Sequence, residues 1–200
     1  MSDGSITIPA LEGLFRWTEE PLEFRLATRE VSISSRRRTD WFVDPETLQV
    51  TSNAPALVRR VRGDFTISAL VDVEFRATFD AGALVLYRDE RHWVKFALEY
   101  SPQRTGAVVS VITRVESDES LSRVVYDRSP YLRVSRLGRT VALHSSLDGR
   151  WWDLERYCRF DESEVEVGFE SQSPTGEGTT ARFSDISFGT TGVKDFRNGT

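Results

Sequence analysis

Along residues 92–100 the side chains alternate, with Val94, Phe96 and Leu98 set against Trp93, Lys95, Ala97 and Glu99. Period two places each set on one face of a strand. An indole, an ammonium and a carboxylate on one strip offer a flat apolar ring beside a strong donor and a strong acceptor, which a sugar's C–H faces and hydroxyls both require. The same alternation turns Arg133 away from Leu132 and Val134, and His144 away from Val141 and Leu143. If these strands share a sheet, Trp93, Lys95, Glu99, Arg133 and His144 surround one groove. Trp93 would then stack on the ligand, Lys95 and Arg133 would donate, Glu99 would accept, and His144 would make binding pH-sensitive near neutrality. Trp41 and Phe42, on the segment before Pro45, either wall this groove or close the end of the fold. A plainer alternative pairs Lys95 with Glu99 as an ion pair worth roughly 0–1 kcal/mol, with nothing bound. A third gives the face to a partner protein, including a second copy of this chain.

Catalytic and metal chemistry find little support. His144, Ser146 and Asp148 suggest a triad, yet i and i+2 side chains on a strand lie about 7 Å apart, too far for a hydrogen bond. Asp72 and Glu74 share a face, as solvated carboxylates commonly do. Two histidines, His92 and His144, and the single Cys158 make no zinc pattern. Asp118 and Glu119 could offer oxygens to calcium but lack a dense acidic spacing. Gly176-Glu177-Gly178 precedes a strand pattern, so no helix N-terminus faces a phosphate. The expectation is no cofactor, no metal and no assigned catalytic residue.

The elements that must position these groups are strands. Phe65-Ile67-Ala69-Val71-Val73 and Val165-Val167-Phe169 also run with period two, the latter against Glu164, Glu166 and Glu170, and no stretch of length follows the helical period. Gly63-Asp64, Leu137-Gly138 and Asp148-Gly149 punctuate the runs, the last predicting a type I′ hairpin turn. Many short strands without crossover helices require antiparallel pairing in two packed sheets. The 200 residues predict an extension over 1–10, one sandwich domain over 11–190 and a loose tail over 191–200. A formal net charge of −5 argues against nucleic acid. One cysteine fits a reducing compartment. With no signal-like start and no apolar run near the ~18 residues of a membrane span, the expected location is cytoplasmic.

Several stretches together resemble DUF1349 domains, especially the YesU-like subgroup, within the concanavalin A-like lectin and glucanase superfamily. They are Thr39-Asp40-Trp41-Phe42-Val43-Asp44-Pro45, Ser52-Asn53-Ala54-Pro55, Phe79-Asp80-Ala81-Gly82, His92-Trp93-Val94-Lys95 with Glu99, Leu132-Arg133-Val134-Ser135-Arg136, Ser146-Leu147-Asp148-Gly149 with Trp152, and Gln172-Ser173-Pro174. The resemblance implies an all-β jelly-roll sandwich of two antiparallel sheets, with a sugar site on the concave one in lectin and glucanase relatives. It implies no activity; some members carry a label of enolase regulation. It also makes Trp152 the better candidate for a structural plug behind the Asp148-Gly149 turn, with a place for its ring in the groove as the alternative. The segment Ser117-Asp118-Glu119-Ser120 departs from the subgroup pattern and reads as a loop. Retaining glucanases need Glu-x-Asp-x-x-Glu, with carboxyls ~5–5.5 Å apart; in Glu164-Val165-Glu166-Val167-Gly168-Phe169 the second glutamate position is Phe169. The expected function is therefore non-catalytic binding of a saccharide or similar small polar ligand.

Overall fold

Alternating apolar and polar residues with β-branched enrichment build strands that bury one face. The computed structural model describes residues 6–9, 11–161 and 164–200 and shows, among them, strands and no helix, so no helix is long and apolar enough to cross a membrane. Numbered along the chain, an eight-stranded sheet runs β1 (Ile6–Ile8), β2 (Leu11–Trp17), β7 (Ala56–Arg62), β16 (Glu164–Gln172), β9 (Ala81–Asp89), β10 (His92–Tyr100), β11 (Gly106–Arg114), β12 (Glu116–Val125). A seven-stranded sheet runs β15 (Asp153–Arg159), β14 (Thr140–Ser146), β13 (Tyr131–Leu137), β8 (Phe65–Val73), β17 (Thr180–Gly189), β4 (Glu30–Ser34), β3 (Glu23–Ala27). All pairings are antiparallel, which makes the expected jelly-roll sandwich. Between the sheets, Val94, Phe96, Val167 and Phe169 meet Ile67, Val71, Leu132 and Phe183, and the Phe169 and Phe183 rings lie 5.1 Å apart. Each such buried side chain contributes about 1.5–3 kcal/mol.

The outward face of the eight-stranded sheet is unusual in its small residues. Ala56, Ala81, Ala83, Ala97 and Ala107 all lie there. A carpet of methyl groups leaves room for a second layer. The hairpin of β5 (Trp41–Val43) and β6 (Val50–Ser52) fills part of it, with Trp41 and Ala54 packed over Val85, Trp93 and Val111.

Four expectations need correction. Ile6 and Ile8 pair with Phe15 and Leu11, so part of the expected N-terminal extension is an edge strand held by apolar burial; residues 1–5 and 10 lie outside the described residues. The tail is not loose: it folds back on the seven-stranded sheet, where Thr66 Oγ1 donates to Thr191 O at 2.8 Å. Gly149 alone has positive φ, 71°, so the turn is not type I′. The Asp148 carboxylate instead accepts the Arg150 and Trp151 N–H groups at 2.8 and 2.9 Å, which caps a longer loop. Finally, Ser117-Asp118-Glu119-Ser120 belongs to β12, with Glu119 opposite Val111.

Candidate functional site

Lys95 emerges from β10 onto the alanine carpet and is buried. Its ammonium has three N–H groups. They go to Asp40 Oδ1 at 3.1 Å, Trp41 O at 2.9 Å and Gln172 Oε1 at 2.6 Å. The ion pair is therefore Lys95–Asp40, not the expected Lys95–Glu99 surface pair, because the 39–43 segment covers the sheet and brings its own carboxylate. Burial opposes the charge on Lys95, but the carboxyls of Asp40, Glu170 and Glu99 outweigh it and raise its pKa.

Two further carboxyls share this face and behave as acids. Glu99 is pushed up to about 8 by burial, against the pull of Lys95. Glu170, opposite Ala83 and Ala56, is fully buried, accepts no hydrogen bond at either oxygen, and is likewise pushed up to about 8.

Loops from both ends of the chain close around these groups. Asp80, itself buried, accepts the Arg76 and Ala77 N–H groups at 2.8 Å each and the Ser173 hydroxyl at 2.6 Å, which ties the Phe79 turn to the 172–174 segment. Thr39 and Ser173 form a β-bridge, and Asp40 N–H donates to Asn53 Oδ1 at 2.8 Å. Phe79 sits at φ 71°, a left-handed conformation unfavourable for a bulky side chain; its N–H donates to Tyr100 O at 2.7 Å, and its position between Asp80 and that bond holds it there. Since a hydrogen bond to a charged group contributes about 1.5–3 kcal/mol, Asp80→Asn is expected to destabilise by ~1–2 kcal/mol in urea unfolding. A variant matching wild type would deny Asp80 this organising role.

The result is an open cleft of about 180 Å³, with Phe42, Phe79 and Pro174 as apolar walls, Lys95, Glu99 and Gln172 as its buried polar groups, and Asp40 and Glu119 as the more exposed ones. The quoted stretches around Thr39–Phe42, Phe79-Asp80, Lys95 with Glu99, and Gln172-Ser173-Pro174 thus converge in space.

Trp93 does not take part as expected. It is 1% exposed, 6.0 Å from Trp41 by ring centroids, and donates to Glu90 O at 3.3 Å. Trp41 donates to Ala54 O at 3.1 Å. Both rings hold the hairpin on the sheet and neither lines the cleft. The face expected to be open to a partner at Trp93 is covered by the chain itself.

Arg133 and His144 are not part of this cleft either. Their strands, β13 and β14, belong to the other sheet, so the single five-residue groove is not built. They lie opposite each other, both buried. The Arg133 guanidinium stacks 4.0 Å from the Trp152 ring centroid, while Trp151 is 82% exposed. Burial, helped by the Arg133 charge, holds His144 at about 4, against the hydrogen bond to Phe196 O that raises it. It is not poised near neutrality.

Sequence reasoning passed over Asp40, Phe79, Glu170 and Gln172 as site residues and considered Glu119 only as a calcium ligand, whereas Phe42, expected either to wall a groove or to close the end of the fold, does line the cleft. The usable signal was the period-two continuation from Glu166 to Glu170 and Gln172, together with alanines at outward positions of β9 and β10.

A family model described as "Protein of unknown function (DUF1349)" matches residues 17–191. No curated protein matches the chain. Among solved structures, it superposes on a functionally unknown protein from Saccharomyces cerevisiae with TM-score 0.80 and 22% identity, covering 88% of this chain and 96% of that one. It superposes on a xylan beta-1,4-xylosidase from Bacillus halodurans C-125 with TM-score 0.64 and 13% identity, covering 89% of this chain and 39% of the enzyme. The carbohydrate binding module CBM66 from Bacillus subtilis gives 0.53 and 12%, covering 86% and 94%. At these identities the likeness is one of fold, and the chain spans about two fifths of the xylosidase.

Proposed function

We propose that this chain, which belongs to the DUF1349 family of proteins of unknown function, binds one uncharged sugar ring, or a similar small polar ligand, in the cleft beside Lys95, without catalysis. Its nearer kinship with the YesU-like subgroup is part of the same reading and rests on the stretches that meet at the cleft. The observation that carries the proposal is an open cleft pairing two partly exposed phenylalanine rings with buried polar groups. Its volume, about 180 Å³, falls below the ~300–1,000 Å³ of sites for drug-sized ligands and suits a single ring.

Charge decides against an acidic ligand. All three Lys95 N–H groups are committed to protein acceptors, among the described residues no other cation lines the cleft, and Asp40 and Glu119 contribute negative charge. Glu99 as an acid offers a sugar hydroxyl both a donor and an acceptor. Two-carboxylate glycoside hydrolysis needs one ionised group and one acid flanking the bond. Here the Glu-x-Asp-x-x-Glu run that sets such a pair in retaining glucanases has Phe169 at its second glutamate position, and of the two raised carboxyls only Glu99 lines the cleft. The sandwich shared with a carbohydrate binding module and part of a xylosidase supports the ligand class by analogy.

The test is calorimetric titration with methyl glycosides of neutral pentoses and hexoses, beside a uronate. For the glycoside that binds, Phe79→Ala and Phe42→Ala are each expected to weaken affinity about tenfold, the equivalent of ~1.4 kcal/mol, while melting temperatures stay close to wild type. Failure of every neutral glycoside at about 10 mM, where a Kd near 1 mM approaches saturation, would overturn the proposal. So would a preference for the uronate.

A further inference from the structure

The seven-stranded sheet holds a cation with no anion. Arg133 is 8% exposed, its pKa is lowered to about 10 by burial alone, and among the described residues no carboxylate pairs with it. A buried charge is expensive unless paired or fully hydrogen-bonded. Arg133 is neither: Nη2 donates to Gly199 O at 2.7 Å, while Nε is buried without a partner. Nε and Nη2 form one edge of the guanidinium, the fork that a carboxylate grips with two oxygens. A single carbonyl fills only one tooth.

Beside it, the neutral His144 ring donates from Nε2 to Phe196 O at 2.7 Å. Both acceptors thus come from the same short segment, which is folded on itself: Asp195 N–H donates to Thr200 O at 2.7 Å and Gly199 N–H to Asp195 O at 2.9 Å. Gly199 is seated against the cation at φ 75°; a Cβ there would lie 2.3 Å from Arg133 Nη2 and 2.8 Å from Trp152 Cβ. The family match ends at residue 191, so Arg133, His144 and Trp152 fall inside it and the covering segment falls outside.

We propose that Arg133, His144 and Trp152 form a carboxylate-binding site, which segment 195–200 occupies with backbone carbonyls as a built-in pseudo-ligand. A small carboxylate and this segment compete for the Nε/Nη2 edge. The site lies on the other sheet from the cleft and does not depend on it.

The whole 200-residue chain provides the test, because Gly199→Val cannot keep its seat. The side-chain Nε–H of Arg133 is followed by ¹H–¹⁵N spectroscopy while acetate is added at constant ionic strength, with acetamide as the uncharged isostere. In Gly199→Val, acetate should shift this signal saturably and at a concentration at least about tenfold lower than in wild type, where the tethered segment competes. Acetamide should not shift it. Adding Arg133→Gln to Gly199→Val should abolish the acetate response of the His144 ring signals. The proposal is overturned if acetate leaves Gly199→Val unmoved, if acetamide acts as acetate does, if wild type and variant titrate alike, or if the response survives Arg133→Gln. Failure of Gly199→Val to fold also overturns it, since the segment would then be part of the fold and no displaceable occupant.

Discussion

Lys95→Met is expected to lower the unfolding free energy by about 3–5 kcal/mol at neutral pH, the range for removing one partner of a buried ion pair. Methionine fills similar space with no donor. Three acceptors then lose their hydrogen bond at once: the Asp40 carboxylate, the Trp41 carbonyl and the Gln172 amide oxygen. A buried acceptor left unmatched costs ~1–3 kcal/mol, so the loss does not rest on the ion pair alone. It should also grow with pH. Lys95 is the charge that draws the pKa values of Glu99 and Glu170 down towards the ordinary range; without it both acids resist ionisation further, and a rise to pH 9 penalises the variant more than wild type. Urea unfolding at pH 6 and pH 9 measures both effects. A loss under about 1 kcal/mol at both values would class Lys95 with exposed pairs and remove the buried network from the account of this site.

Much of the fold was legible because burial on one side only leaves a period-two record. Residues 65–73, 92–100 and 165–169 announce β8, β10 and β16, and the face carrying Lys95 and Glu99 follows from the same rule. What covers that face was not legible. Its cover is a segment some fifty residues earlier in the chain, and the feature that admits it is the smallness of Ala81, Ala83, Ala97 and Ala107, residues that look neutral in an alternating strand. Hence Trp93 read as an exposed ring when it is the base on which Trp41 packs. Sheet membership was equally hidden: alternation gives a side chain's face, not its sheet, and β13 pairs with β8 and β14 while β10 pairs with β9 and β11. The tail escaped for a different reason. It docks on Arg133 and His144 through backbone carbonyls, and every residue carries one, so its sequence holds no pattern to read.

Glu170→Gln is expected to stabilise the protein at pH 9, by on the order of 3 kcal/mol, and to change little at pH 5. The sign follows from where the proton sits. Glu170 has a pKa of about 8 in the folded chain against an ordinary 4.5, so between these values the folded state holds a proton that the unfolded state has lost. The contribution of this group is complete below pH 4.5 and fades as pH rises through 8, each unit of displacement corresponding to ~1.36 kcal/mol. Glutamine has no proton to lose and removes that decline. Glu99, also near 8, leaves a residual alkaline slope in the variant. On the acid side His144 acts in the opposite sense: its pKa is depressed to about 4 from 6.5, so its contribution is present above 6.5 and is lost as pH falls through 4. Glu170→Gln should therefore flatten the alkaline limb and leave the acid limb in place, as measured by urea midpoints between pH 4 and pH 9. Binding supplies the second readout. Because Glu170 lies outside the cleft lining whereas Glu99 is part of it, Glu170→Gln should hold glycoside affinity within about twofold, under ~0.5 kcal/mol. An alkaline limb as steep as wild type would mean that Glu170 is already ionised at neutral pH, and a large affinity loss would place it in contact with ligand and reopen the case for acid catalysis.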